Sequence, residues 1–345
     1  MAAGAGSARR LTPAPQAGGR IGRISVQLVA VLSSMSRDLS GRAGPETAGS
    51  AYEDGRGAIE MASLRVLRRK ASRTALRVPI VWYRHRGLNP GDAFVASYPR
   101  SGSTWLRFLL LELLTRADEA GFDSVNQMIP DVGRHGGCLP LVANGGRLIK
   151  THEAYRTEYQ KAVYVVRDVR DVVISEFEYE NANERISEDF DEFVMLSLKG
   201  CVNGYGSWES HVASWLDSPL AENGRLLVVK FEQLKAQTED TLAGILEFLG
   251  VRRDRAAIRQ AIANNNLQRM KEKEDRAPQT SAYSRESGDQ KRFIRSGSTG
   301  GWRARLTPVQ VQLIERQAGA VLVRMGYSLE AAQPASGELL SSARA

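Results

Sequence analysis

Short apolar runs and longer stretches of helical periodicity alternate through the middle of the chain. Ala93–Ser97, Arg147–Lys150, Ala162–Val166 and Leu226–Lys230 read as strands. Thr104–Leu114 and Val169–Glu180 carry apolar positions at helical spacing and read as helices between them. Strands separated by helices predict an α/β domain: a three-layer arrangement with a parallel β-sheet flanked by helices on both faces. Sheets of this kind bind ligands outside the carboxyl ends of their strands. The turn signal Asn89-Pro90-Gly91 opens this domain, expected over 89–330, and no internal repeat is visible.

The pattern fades at both ends. Residues 1–60 are rich in Gly, Ala, Ser, Pro and Arg with little periodicity, so they bury little apolar surface and are expected to be a disordered extension. Met61 is the expected physiological start, with Met1 and Met35 the other candidates. The segment 61–88 reads as a basic amphipathic helix and linker. Leu64, Leu67, Ala71 and Ala75 share a face, with Arg65, Arg68, Arg69 and Arg73 elsewhere. Such a helix can pack on the domain or make peripheral membrane contact through 62–77. Its alanine-rich stripe, without Trp or Phe, favours packing. Residues 331–345 are expected to be a disordered tail.

Composition narrows the class. Of 345 residues, 42% are hydrophobic and 25% charged, as in an ordinary globular protein. No apolar run is long enough for a transmembrane segment, and the N-terminus lacks the layout of a signal peptide, which points to a cytoplasmic protein. Cys138 and Cys201 are then two reduced thiols. The net charge of +8 raises the question of a nucleic-acid partner. Residues 1–91 hold 15 basic and 5 acidic residues, however, and the remainder 32 and 34. The basic character belongs to the N-terminal extension, so no nucleic-acid partner is implied for the main body.

The most informative segment is Tyr98-Pro99-Arg100-Ser101-Gly102-Ser103-Thr104-Trp105, a loop between a strand and an apolar helix. Free N–H groups at a helix start, at the positive end of its dipole, accept an anion. Gly102 lets the backbone approach it closely, Ser101, Ser103 and Thr104 add hydroxyls, and Arg100 adds a fixed charge. The loop is not a Walker A sequence, and it has no evident partner for Mg²⁺, so an anion bound without metal is expected. Taken alone, it could also be a Ser/Gly-rich turn capping a buried helix.

Taken together, the motifs resemble those of the PAPS-dependent sulfotransferases of cytosolic type, PAPS being 3′-phosphoadenosine 5′-phosphosulfate. Residues 98–105 resemble the family's 5′-phosphosulfate loop, usually Y-P-K-S-G-T-T-W. Tyr164–Ser175 is similar to its 3′-phosphate strand and helix, and Phe293–Arg303 to its late R-K-G-x-x-G-D-W-K loop. Lys150-Thr151-His152 resembles the catalytic K-T-H, and Tyr205-Gly206-Ser207-Trp208 with His211 and Trp215 matches a further stretch. The resemblance runs from about Asp92 to Tyr327. It implies a fold like that of P-loop NTPases and in-line sulfuryl transfer from PAPS, without metal, to a hydroxyl or amine of a small-molecule acceptor. His152 would be the general base, a role that suits an imidazole. Lys150 and Arg100 would stabilise developing charge, and Ser175 would restrain a catalytic side chain. Arg167, Ser175, Arg295, Ser296 and Gly297 would hold the 3′-phosphate, and Trp105 would stack on the adenine.

The departures from the family pattern are specific. Arg100 stands where the family has Lys, a planar fork in place of a flexible ammonium. Phe231 falls where many members have a Tyr that bonds the adenine. Leu267 replaces an aromatic adenine contact, Ser296 replaces a Lys and Gly301 an Asp. These changes point to a branch distant from the animal cytosolic enzymes, a bacterial one. Three rival readings stand beside this one: a P-loop-type small-molecule kinase, a non-catalytic adenosine-bisphosphate-binding module with no use for His152, and an adaptor acting through the basic N-terminus. The acceptor pocket is expected from Asn126–Asn144 and Ala182–Gly204, with a lid over Glu272–Gly288. A monomer and a homodimer are both compatible with the sequence.

Overall fold

A computed structural model of the chain describes residues 77–183, 186, 188–277 and 292–330. The expectations for 1–60, for a start at Met61, for the basic helix up to residue 76, for the lid beyond residue 277 and for the 331–345 tail lie outside the described residues.

Four strands form one parallel sheet: β1 (Ala93–Ser97), β2 (Leu148–Thr151), β3 (Ala162–Val166) and β4 (Leu226–Lys230), in the order β2-β1-β3-β4. Phe94 pairs with Ile149 on one side and Ala162 on the other, and Val163 pairs with Leu227. β1 is central, and the chain leaves it toward β2 before crossing back to β3. That reversal of direction is where an open α/β sheet forms a ligand crevice.

Three of the four strands have the bounds that their apolar runs predict. The period-2 alternation of side chains explains the two cores. Phe94, Ala96, Tyr164 and Val166 face one layer with Trp208, Trp215 and Trp302. Ala93, Val95, Val163 and Val165 face the other. β2 instead runs one residue later than its pattern suggests. Arg147 turns its guanidinium onto Asp92 (Nε to Oδ1 2.9 Å), while Thr151 stays in register with Ala96, its hydroxyl 3.0 Å from Tyr159 Oη.

The helices are α1 (Arg77–Arg84), α2 (Ser103–Thr115), α3 (Phe122–Met128), α4 (Val169–Ala182), α5 (Phe190–Leu198), α6 (Trp208–Leu216), α7 (Pro219–Glu222), α8 (Phe231–Ala236), α9 (Thr238–Phe248), α10 (Arg255–Asn264), α11 (Leu267–Asp275) and α12 (Pro308–Arg324). α2 is apolar nearly all round and lies inside the second core. Its two charged residues are partnered: Arg107 donates to the Ile129 carbonyl, and Glu112 pairs with Lys273 at 3.2 Å. α4 begins with Asp168 capping the Arg170 amide, and the buried Arg170 bridges Asp168 and Glu315 over the Trp302 ring. No described helix is long and apolar enough to cross a membrane.

Candidate active site

A cavity of about 630 Å³ opens at the carboxyl ends of the strands, and the segments following all four contribute to its wall. β1 delivers the loop 98–102, β2 delivers Lys150 and His152, β3 delivers Arg167, and β4 delivers Phe231 and Lys235. Of the residues singled out from sequence, Arg100, Gly102, Ser103, Thr104, Trp105, Lys150, His152, Arg167, Ser175, Phe231, Leu267, Arg295, Ser296 and Gly297 all line this one cavity. Ser101 does not reach it. Its side chain is fully buried beneath the loop.

The loop 98–102 is shaped by two left-handed residues, Arg100 at φ 64° and Gly102 at φ 91°. Gly102 is the N-cap of α2, and no side chain caps the helix, so its first amides stay available to an anion. Position 102 must be glycine for a second reason. The Phe231 ring lies so close that a Cβ would stand 2.4 Å from its Cδ2. Phe231 also carries the Arg167 guanidinium over its ring at 4.9 Å, and Trp105 meets it edge-on. Trp105 donates its indole N–H to the Asn265 carbonyl at 2.8 Å.

Arg100 lies between the Tyr179 and Phe293 rings, at 4.5 and 4.6 Å from their centroids, and its Nε donates to Ser175 Oγ at 3.2 Å. Burial, reinforced by Arg295 and Arg167 and opposed by Tyr179, lowers its pKa to about 10, so it remains a cation at neutral pH. Arg295 also donates to Ser175 Oγ (3.3 Å) and pairs with Glu178. One hydroxyl on α4 therefore joins the arginine of the first loop to that of the late loop.

Arg167 donates to the Arg100 and Ser298 carbonyls at 3.1 and 2.8 Å. The late loop is tied down at both ends by carboxylates. Glu274 accepts from the Phe293 and Ile294 amides (2.6 and 2.9 Å), and Asp171 accepts from those of Gly300 and Trp302 (2.7 and 3.0 Å).

The base candidate has a defined tautomer. His152 Nδ1 lies 2.7 Å from the Ser97 carbonyl oxygen, which can only accept, so Nδ1 carries the proton and Nε2 keeps the lone pair. Burial, then the Lys150 charge, depress the imidazole to a pKa of about 3 against the pull of the Ser97 carbonyl. His152 is thus neutral throughout the physiological range, further from titration than an ordinary imidazole. Its own carbonyl is held by His211 Nε2–H at 3.0 Å, and His211 Nδ1 accepts from Tyr164 Oη at 2.9 Å. Burial lowers His211 to about 4.

Lys150 pairs with Asp131 at 2.8 Å. Burial would raise the Asp131 carboxyl, but Lys150 and Arg107 outweigh it and hold the group far below the usual carboxylate range. Asp131 reaches Lys150 through a single parallel bridge beside β2.

Sequence reasoning gave no role to Asp131, Asp171, Glu274, Lys235, Tyr205 or Asn203. Asp171 lies within the Arg167–Ser175 motif and Tyr205 within the Tyr205–Trp208 motif, so both were legible there. Asp131, Asn203 and Glu274 fall inside the expected acceptor and lid segments without being singled out, and Lys235 lies outside every quoted motif, because each reaches the site through the tertiary fold. The expected acceptor loop Asn126–Asn144 does not line the cavity. It runs along the outer edge of β2 and meets the site at Lys150, through the Asp131 carboxylate, the Pro130 carbonyl and the Val132 amide. From the second expected segment, Asn203 contributes, bonded to Glu176 at 2.7 Å and Tyr98 Oη at 2.9 Å.

A parallel sheet with a glycine-bearing loop, a neutral histidine and three arginines around one cavity at its carboxyl edge defines an α/β protein with a basic cleft. The sulfotransferase domain model matches residues 90–326, and the chain belongs to that family. It is 27% identical over 262 residues to cytosolic sulfotransferase 7 of Arabidopsis thaliana, covering 67% of this chain and 79% of that protein. It is 28% identical over 245 residues to sulfotransferase 2A6 of Mus musculus, covering 65% and 82%. Among solved structures, retinol dehydratase in complex with androsterone and the inactive cofactor PAP shares the fold, with a TM-score of 0.57 and 19% identity over 73% of this chain and 85% of that one. A mouse sulfotransferase complexed with PAP gives a TM-score of 0.51 and 23% identity, covering 70% and 88%.

Proposed function

We propose that the chain transfers a sulfuryl group from PAPS to a hydroxyl or amine of a small acceptor, with His152 as the general base. The observation that carries this reading is the His152 tautomer: an imidazole with its proton fixed on Nδ1 by the Ser97 carbonyl and its lone pair on Nε2, in the wall of an arginine-rich cavity beside Lys150. A module that only held a nucleotide would have no use for such a base.

The residues present fit PAPS. Buried nitrogens without protein partners occur on two of the residues assigned to its 3′-phosphate: Arg167 Nε and Arg295 Nε. Buried donors of this kind are costly unless something pairs with them, and phosphate oxygens are suitable acceptors. The amides opening α2, with Arg100, would hold the 5′-phosphosulfate end. Arg167, Ser175 and the loop 295–297 would hold the 3′-phosphate, and Trp105, Phe231 and Leu267 would bound the adenine.

PAPS supplies the sulfuryl group, and adenosine 3′,5′-bisphosphate departs. His152 Nε2 takes the acceptor's proton as the acceptor oxygen or nitrogen bonds to sulfur and the bridging S–O bond breaks. Lys150 and Arg100 stabilise the charge that builds on the sulfuryl oxygens and on the leaving oxygen. Ser175 restrains Arg100 through the bond to its Nε.

The test is a screen of acceptor classes with radiolabelled PAPS, run beside His152→Ala. The reading expects labelled product from the parent chain, with turnover falling by roughly two to four orders of magnitude in the variant while PAP binding persists. Turnover undiminished in His152→Ala would remove the base assignment. PAP binding with no turnover of any acceptor would leave only a nucleotide-binding module.

A further inference from the structure

We propose that Lys235, on α8, is a cation of the 3′-phosphate site, supplying from behind β4 the charge that the late loop lacks at Ser296. The proposal rests on the PAPS reading above and assigns one more residue to it. The late loop presents Arg295-Ser296-Gly297-Ser298 to the cavity. Between the arginine and the glycine it offers only the Ser296 hydroxyl, 2.9 Å from that of Ser298 beyond the glycine. Directly across from this loop, Lys235 lines the same cavity and donates its ammonium to the Gly297 carbonyl. A Cβ on Gly297 would stand 3.9 Å from Lys235 Nζ, so the ammonium faces the loop at its glycine.

The surrounding charges point the same way. Among the described residues no carboxylate forms an ion pair with Lys235, with Arg167 or with Arg100, although exposed arginines elsewhere in the chain do find such partners. The ammonium of Lys235 is lowered by burial and then by repulsion from Arg167. Arg295 is lowered by burial and by the same Arg167. Arg167 is therefore the centre of a cluster that includes Lys235 and Arg295. Asp171, Glu232 and Asp168 offset part of the Arg167 charge and Glu178 pairs with Arg295, but Lys235 has no ion pair among the described residues, and its repulsion from Arg167 is relieved by a bound anion.

A dianionic 3′-phosphate would meet the arginines on one side and the ammonium on the other. A point charge on a flexible stem suits this place, because it can leave the Gly297 carbonyl for a stronger acceptor without moving the loop. The other wall residues near Gly297 are neutral or already committed: Ser298 gives its carbonyl to Arg167, and Arg305 pairs with Glu178.

The experiment titrates the full chain with two nucleotides, adenosine 3′,5′-bisphosphate and adenosine 5′-monophosphate, in the parent, in Lys235→Gln, and in Lys235→Gln with Ser296→Lys. The expected result is that Lys235→Gln weakens the bisphosphate about tenfold, the size of one lost charge-assisted bond, and leaves the monophosphate within about twofold. Ser296→Lys should then recover most of the loss, since it restores the charge without restoring the bond to the Gly297 carbonyl. An unchanged bisphosphate affinity, an equal loss for both nucleotides, or a loss that Ser296→Lys fails to recover overturns the proposal. The last outcome would assign Lys235 to holding the loop. If the parent chain itself binds no bisphosphate, it is the PAPS reading that fails, which separates the two conclusions.

Discussion

Gly102→Ala probes the joint between the loop 98–102 and the Phe231 ring. The added methyl would stand 2.4 and 2.6 Å from Phe231 Cδ2 and Cε2, about an ångström inside the usual carbon–carbon contact of ~3.5 Å. It would also sit at φ 91°, where an L-residue costs about 1–2 kcal/mol. Relieving the overlap requires the Phe231 ring to shift, and overpacking of this kind costs about 1–3 kcal/mol. The two together predict a stability loss of about 2–5 kcal/mol by urea denaturation.

The ring that must move also lies under Arg167. Losing a partly desolvated cation–π contact of about 1–2 kcal/mol would weaken bisphosphate binding by about five- to thirtyfold. Trimming the obstacle separates strain from clash: Phe231→Leu in the Gly102→Ala background should recover the overpacking part of the stability loss and leave the backbone part. A Gly102→Ala protein that unfolds within about 0.5 kcal/mol of the parent and binds bisphosphate within about twofold would refute the close approach of ring and loop.

Two further outcomes follow from the charges. Because His152 is depressed to about 3, chiefly by burial, the free protein already holds this proposed base neutral at pH 5. The profile of kcat/KM for a neutral alcohol acceptor should therefore be flat from about pH 5.5 to 8, since that ratio reports the free enzyme. An acidic limb near the ordinary imidazole value of about 6.5 would contradict the buried, Lys150-flanked imidazole. Asp131→Asn leaves the Lys150 ammonium, only 8% exposed, without its carboxylate, while Asp131 itself is 35% exposed. The expected stability loss is accordingly at the lower end for a broken pair, about 1–3 kcal/mol by urea denaturation, and smaller when Lys150→Met accompanies it.

The strands were legible where burial on both sheet faces leaves a run with no polar compromise, as in Ala162–Val166. At Arg147–Lys150 the same reading slipped by one residue, because the strand edge is set by the Arg147–Asp92 pair, 55 residues apart in sequence. The site shows the same division. Loops in which backbone, glycine and arginine sit side by side leave a local pattern, and the segments Arg100–Trp105, Lys150–His152, Arg167–Ser175 and Arg295–Gly297 each contribute residues to one cavity. Residues that act on those loops from outside leave none. Asp131 reaches Lys150 through one bridge, and Glu274 grips the 293–294 amides from the end of α11. Ser97 fixes the His152 tautomer with a carbonyl that any residue would supply.

The cations also explain why the departures from the family motif are compatible with an intact cavity. An arginine at position 100 cannot swing as a lysine does. Here it is sandwiched between Tyr179 and Phe293 and bonded to Ser175. A fork so held keeps its charge aimed along one line. The family's flexible ammonium is thus replaced by a rigid group whose aromatic neighbours come from α4 and the late loop. The position of the late loop and the alignment of Arg100 are joined at Phe293, which stacks on Arg100 while its amide is held by Glu274.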